Sequence, residues 1–292
     1  MAQTNTQWIC GLSEVLNLLL LPQETKDCLL RYAQKNRAFL TAASEDAYQG
    51  TAPDFPICRH RSLTRLAVVC VKLMELRRKW RQHALPEDVF RGAISDIALR
   101  QRLYHEKTGS IGLSRGDVIW FRHLFTLHIF KLGELQFQLF NMIYLDEEGC
   151  GEAYMSFSPA QKRLLPPDTP VLNIHIPAGA ALCPAAVDHS FTLAGEFFPQ
   201  YFPAHRARTF LCYSWLLYPG LRELLPEGCN ILRFAARFQI IAQLPDREEA
   251  MERIFGGRRR AKKDYPQSTT LQRTALLHPE GIGYACGIAD IV

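Results

Sequence analysis

Apolar residues recur at helical spacing through the first third of the chain. From Ser13, the residues Val15, Leu16, Leu19 and Leu20 fall on one stripe, and after Pro22 the series Cys28, Leu29, Tyr32, Ala33 and Leu40 keeps the same period. Leu63 to Arg81 repeats it, with Leu66, Val69, Cys70, Leu73 and Leu76 on one stripe. Arg77, Arg78, Lys79 and Arg81 take the solvent side or the C-terminal end, where cations suit the helix dipole. Pro86 opens a further helix through Phe90, Ile94, Ile97 and Leu103 towards Gly109.

After Gly116 the pattern changes. Thr126 to Tyr144 is rich in strand formers, alternates in its second half, and has Gly133 where a tight turn makes a hairpin. Asp146 to Pro170 is polar and Pro-rich. Val171 to Ile176 reads as a strand closed by Pro177 and Gly179, and Pro184 starts a helix with Ala186, Phe191, Ala194, Phe197 and Phe198 on its apolar face. Thr209 to Trp215 and Phe234 to Leu244 read as strands, and Ile282 to Val292 as a Gly-punctuated strand. Pro219 to Leu225, Glu248 to Phe255 and Thr270 to Leu277 read as helices. The pattern predicts a helical domain over 1–115 and, from strands alternating with helices, an α/β layer fold over 116–292.

Composition narrows this picture. With 48% hydrophobic residues in 292, the chain can bury a core without disulfides or structural metals. Nine scattered cysteines and no C-x-x-C pair suit reduced thiols and predict no metal centre. The N-terminus lacks a basic region, and the apolar run from Val15 ends at Pro22, so the expectation is a cytoplasmic protein with no membrane partner. A formal charge of +5 suits an anionic ligand but falls short of a nucleic-acid footprint, and no nucleic-acid partner is expected. The run from Arg258 to Lys263 reads as a solvated loop, with phosphate or nucleic-acid binding as its alternative.

Candidate chemistry gathers around one strand and the turn that follows it. On a period-two strand Asn173 and His175 share a face, and a histidine can take a proton from an attacking ammonium near neutral pH; the alternative is a hydrogen-bonded interior histidine. Small residues at Gly179, Ala180 and Ala181, before the Pro184 helix, let a backbone approach phosphate, although an ordinary strand-to-helix turn also needs Gly and Pro. Cys212 and Ser214 face one way along their strand and Tyr213 the other. A nucleophilic Cys212–His175 pair is conceivable without protease-like context, and Ser214 could equally cap or pack. Gln136 and Gln138 share a strand face expected to be exposed, with the lining of a substrate groove as its alternative. Cys58 and His60 lack a second ligand pair, and Gly281 with Gly283 lacks the context of a dinucleotide fingerprint.

The run Asn173-Ile-His-Ile-Pro-Ala-Gly179, with Ser190, Phe197, Phe198, Cys212-Tyr-Ser-Trp-Leu-Leu-Tyr-Pro-Gly-Leu221, Leu225-Pro, Asn230-Ile, Arg237-Phe and Pro266-Gln-Ser-Thr-Thr-Leu-Gln-Arg273, resembles two-domain bacterial acyltransferases. In these a helical N-terminal domain precedes a GNAT-like C-terminal domain, and the matching segments span most of 117–292. The resemblance implies an α+β chain, a helical domain over 1–115 and a GNAT-like mixed sheet flanked by helices over 116–292, with acyl-CoA or acetyl-CoA as co-substrate and a small-molecule or peptide amine as acceptor, meeting in a ternary complex. It places the donor pyrophosphate at Gly179, Ala180 and Ala181, and the thioester arm in a slot where the 209–214 strand diverges from its predecessor. His175 would then be the base, Ser214 a substrate ligand, and Tyr213 or Tyr218 the proton donor to the departing thiolate. The Arg or Gln that usually stands three positions before the loop glycine is Ile176 here, a departure that favours the other reading, a non-catalytic ligand-sensing or interaction module.

Overall fold

The computed structural model describes residues 5–151, 154–256 and 264–291, and internal contacts divide the chain into units 1–131 and 132–292. The first unit holds α1 (Asn5–Leu18), α2 (Gln23–Lys35), α3 (Arg37–Asp46), α4 (Ser62–Gln82), α5 (Glu87–Thr108), α6 (Arg115–Trp120) and α7 (Arg122–Phe125). Helix α4 is its centre and packs against the other six. Beyond the stripe read from its period, Ala67, Val68 and Val71 are buried too, which is how a helix enclosed on most sides behaves. Trp80 near its end donates Nε1–H to the Pro86 carbonyl at 2.9 Å and meets the edge of Phe90.

The division lies beyond the change of periodicity at Gly116 because a polar knot ties α6 to α5. Asp96, only 5% exposed, accepts from Arg100 Nε at 2.9 Å and from Trp120 Nε1 at 3.1 Å. Arg100 also reaches Asp117 at 3.1 Å, and Asp117 closes a capping box with Ser114 at the start of α6.

The second unit is a six-stranded sheet in the order β1-β2-β3-β4-β6-β5, with the division of the chain falling inside β1. Its strands are β1 (Ile129–Leu132), β2 (Leu135–Asn141), β3 (Pro170–His175), β4 (Thr209–Ser214), β5 (Gln239–Leu244) and β6 (Tyr284–Asp290). Only β3 and β4 pair in parallel among the registered neighbours, and the 18-residue helix between them covers one face of the sheet. In chain order the helices are α8 (Glu147–Cys150), α9 (Pro159–Leu164), α10 (Pro184–Tyr201), α11 (Leu221–Leu224), α12 (Asn230–Ala235), α13 (Arg247–Phe255) and α14 (Thr270–Leu277). The 146–170 stretch therefore carries two short helices, started by side-chain caps from Asp146 and Ser158.

Alternation sends Phe137 and Phe210 to the α10 face, where Phe191 stacks on Phe210 at 4.6 Å between ring centres and Phe198 approaches Phe137. Phe234, expected in a strand, lies in α12; helical spacing puts it beside Phe238 at 5.2 Å, and the strand begins only at Gln239. On the opposite face the segment after β2 lays Met142, Tyr144, Met155 and Leu165 over Val171, Leu211 and Cys286. The 258–263 run lies outside the described residues. No described helix is long and apolar enough to cross a membrane.

Replacing Asp96 by Ala leaves Arg100 and Trp120 short of an acceptor. The expected loss is about 2–3 kcal/mol in chemical denaturation, with Asp96→Asn losing less because an oxygen for Trp120 remains.

Candidate active site

Two strands that share little of their length define the site. Strands β3 and β4 are in register only at Leu172↔Phe210 and Asn173↔Leu211, whereas β2 follows β3 from Pro170 to His175 and β6 follows β4 from Thr209 to Ser214. Each strand is thus held along its outer edge, while the ladder between them stops two residues before the end of β3 and three before the end of β4; this fork in the ladder is at the end where open sheets with crossover helices take ligands.

His175 is the last residue of β3, at the mouth of this fork. On its face of the sheet the cross-strand pairs are His175 with Gln136 and Asn173 with Gln138. All but His175 are buried, at 5% exposure for each glutamine and 8% for Asn173. The glutamine face is therefore covered, where an exposed sheet face was expected. The His175 ring meets Gln138 Oε1 through Nε2 at 2.8 Å. An amide oxygen only accepts, so Nε2–H is the donor in this pair. Gln138 is a residue that sequence reasoning missed in this role; a polar residue at every second position of an otherwise apolar strand was its signal.

The chain then turns. Ala180 N–H donates to the Pro177 carbonyl at 3.1 Å, and Gly179 takes φ +81°, a left-handed value that a side chain would strain. Nothing lies within 4 Å of where a Gly179 Cβ would stand, so the turn is open above that residue. Pro184 is the first residue of α10, whose N-cap, Cys183, makes no side-chain bond to the helix amides. Ala181 N–H is met by the Glu134 carboxylate at 3.1 Å. Glu134 sits in the hairpin turn beside Gly133, and its own N–H donates to Ser190 Oγ on α10 at 3.0 Å. Gly133 has φ +62°, and a Cβ there would fall 2.5 Å from that same Oγ. Sequence reasoning had no signal for Glu134, since only the folded hairpin brings it to the loop.

The β4 residues separate. Tyr213 faces the same side as His175, and its hydroxyl donates to the Ile143 carbonyl at 2.8 Å. Burial, with Cys286 beside it, pushes that hydroxyl above the ordinary tyrosine range and keeps it protonated. Ser214 points to the α10 side, where its Oγ accepts from Leu216 N–H at 3.1 Å and caps the 3₁₀ turn Trp215–Leu217. The fold does not bring Ser214 and His175 together. Cys212 shares the Ser214 face, and burial pushes its thiol up, away from a nucleophilic thiolate.

Gly283 is a packing glycine, since a Cβ there would lie 2.5 Å from the Leu244 carbonyl oxygen. The Cys58 carbonyl takes Arg115 Nε at 3.1 Å. Among the described residues no three His, Cys, Asp or Glu side chains are grouped to hold a metal ion.

A helical unit followed by a mixed sheet that forks at its parallel pair is a GNAT-like, two-domain architecture. Residues 11–127 match the N-acyltransferase N-terminal domain and residues 129–288 the GNAT-like C-terminal domain, and the chain belongs to the family that joins them. An acyltransferase solved in complex with decanoyl-CoA is similar over 96% of this chain and 87% of its own, at 22% identity and a TM-score of 0.75. An acyltransferase in complex with decanoyl-CoA and teicoplanin shares the same coverage at 19% identity and a TM-score of 0.70. Another, with CoA and 10C-teicoplanin, aligns over 94% of this chain and 81% of its own at 20% identity and a TM-score of 0.65. These likenesses concern the fold. No curated protein matches the chain.

The imidazole geometry makes a direct prediction. Long-range ¹⁵N NMR should find His175 protonated on Nε2 at neutral pH, and Gln138→Glu should raise its titration midpoint, because a carboxylate beside Nε2–H favours the charged ring. An unmoved midpoint would show that Gln138 does not set the state of this ring.

Proposed function

We propose that the C-terminal unit binds acyl-CoA with its thioester in the β3/β4 fork and transfers the acyl group to an amine acceptor in a ternary complex. The observation that carries this reading is His175 at the mouth of the fork, with its ring turned by Gln138. Nδ1 removes a proton from the acceptor ammonium, the freed amine attacks the thioester carbon, and N–H groups on the facing strand edges stabilise the oxyanion. The nitrogen of the intermediate releases its second proton to solvent as collapse expels the CoA thiolate, which takes the first proton from the imidazolium. Ser214 and Tyr213 shape the fork in this scheme, since one caps the turn after β4 and the other is tied to Ile143.

The donor's pyrophosphate lies against the Gly179, Ala180 and Ala181 turn and the first turn of α10. The Glu134 carboxylate on Ala181 N–H is a stand-in anion that marks the amide as an acceptor-seeking donor. The acyl-CoA complexes of similar folds support this donor, and the neighbour bound to teicoplanin supports a small-molecule or peptide acceptor. The non-catalytic reading draws on Ile176 and on Glu134 already holding that amide. Tight acyl-CoA binding with no transfer to any amine would favour it.

Octanoyl-CoA and decanoyl-CoA should raise the melting temperature of the protein, because a ligand bound only by the native state stabilises it. Gly179→Asp, which adds bulk and negative charge, should abolish the shift with the fold intact, and unchanged affinity would place the pyrophosphate elsewhere. Glu134→Ala should tighten CoA binding several-fold in calorimetry by removing the competing carboxylate. His175→Ala should lower turnover by about 10²-fold with little change in donor affinity. Should that variant keep its turnover, His175 is not the base.

A further inference from the structure

The side chain of Asn173 is 8% exposed, and among the described residues its buried Oδ1 has no hydrogen-bond partner. A buried amide oxygen without a donor is costly, and folds tolerate it where a ligand or water completes it. Three other buried polar atoms share this condition. Two of them belong to Arg77 and Arg237, each ion-paired through its guanidinium end, and the third is the Tyr48 hydroxyl among Phe55 and Phe125. Asn173 alone lies on the face of His175.

It is also the last β3 residue in register with β4, so it stands at the floor of the fork, two positions before His175. Two residues of strand rise span about 6.6 Å, and a single atom between two such side chains can lie about 3 Å from both. Gln138, directly across from Asn173, has its oxygen engaged by His175.

We propose that Asn173 Oδ1 is the second acceptor for the attacking nitrogen, and that with His175 it restricts the acyl acceptor to amines. The inference rests on His175 acting as base. An ammonium gives one proton to His175 Nδ1 and still has an N–H to place on Asn173. A hydroxyl has a single proton, so once that goes to His175 its oxygen faces Oδ1 lone pair to lone pair. The site therefore favours N-acylation over O-acylation through donor count, apart from the intrinsic nucleophilicity of the two groups.

The test uses octanoyl-CoA as donor with benzylamine and benzyl alcohol as acceptors, following CoA release, in the full chain and in Asn173→Leu and Asn173→Asp. The Leu variant should raise the KM for benzylamine by about tenfold, shrink the amine-over-alcohol ratio, and leave octanoyl-CoA affinity unchanged. Asp retains an acceptor oxygen and should hold the benzylamine KM closer to that of the parent. Without any ligand, Asn173→Leu should melt at the same temperature as the parent or higher, because it removes a buried oxygen that has no partner. A fall of several degrees would show a paired, structural amide and overturn the proposal, as would an unchanged benzylamine KM in the Leu variant. This melting comparison decides alone if benzylamine is not turned over. Failure of the donor reading shows separately, as no thermal shift of the parent protein with octanoyl-CoA.

Discussion

The C-terminal unit depends on a ladder that stops early. Strands β3 and β4 are paired at two register positions before their ladder ends, and they can do so because each has an antiparallel neighbour along its whole outer edge. A parallel pair without such neighbours would lose cooperativity where its hydrogen bonds end. Here β2 and β6 hold the arms of the fork, and the aromatic layer of Phe137, Phe191, Phe198 and Phe210 backs them on the α10 side. Aromatic pairs of this kind add about 0.5–1.5 kcal/mol each beyond the area they bury. The opening is thus a property of a stiff sheet.

The two faces of that sheet have different tasks. One is closed by rings and by Ser214, whose hydroxyl is engaged with the chain that leaves β4. The other carries Gln136, Gln138, Asn173 and His175 on neighbouring strands, and beyond them becomes apolar at Val171, Leu211 and Cys286. Polar side chains in a buried strand pair are destabilising unless they find partners, and His175 finds one in Gln138. The stability of the apolar half tolerates the polar half.

Much of this was legible in the chain. Helical period marked α4, α5 and α10, Gly133 and Gly179 marked turns that take positive φ, and strand parity put Asn173 beside His175 and turned Ser214 away from Tyr213. What stayed hidden depended on distant parts of the chain. Alternation tells which residues share a face and not whether that face is covered, so Gln136 and Gln138 read as exposed. The tie between α5 and α6 runs through Asp96 and Arg100, far from Asp117 in sequence, and no local pattern announces it. Glu134 reaches Ala181 across 47 positions. Phe234 and Phe238 suit a strand by composition, and only their packing shows the helical turn between them.

The hairpin turn and the loop before α10 are joined by one side chain. Glu134 holds Ala181 N–H through its carboxylate, while its own N–H is held by Ser190, which also donates to the Ala186 carbonyl. An anion arriving at this loop meets an amide that is already occupied, and an anion leaving it hands the amide back to Glu134. Departure then becomes an exchange of partners in place of the exposure of a bare N–H. The barrier to release falls together with the affinity, so a loop built this way favours rapid clearance of an anion over long residence.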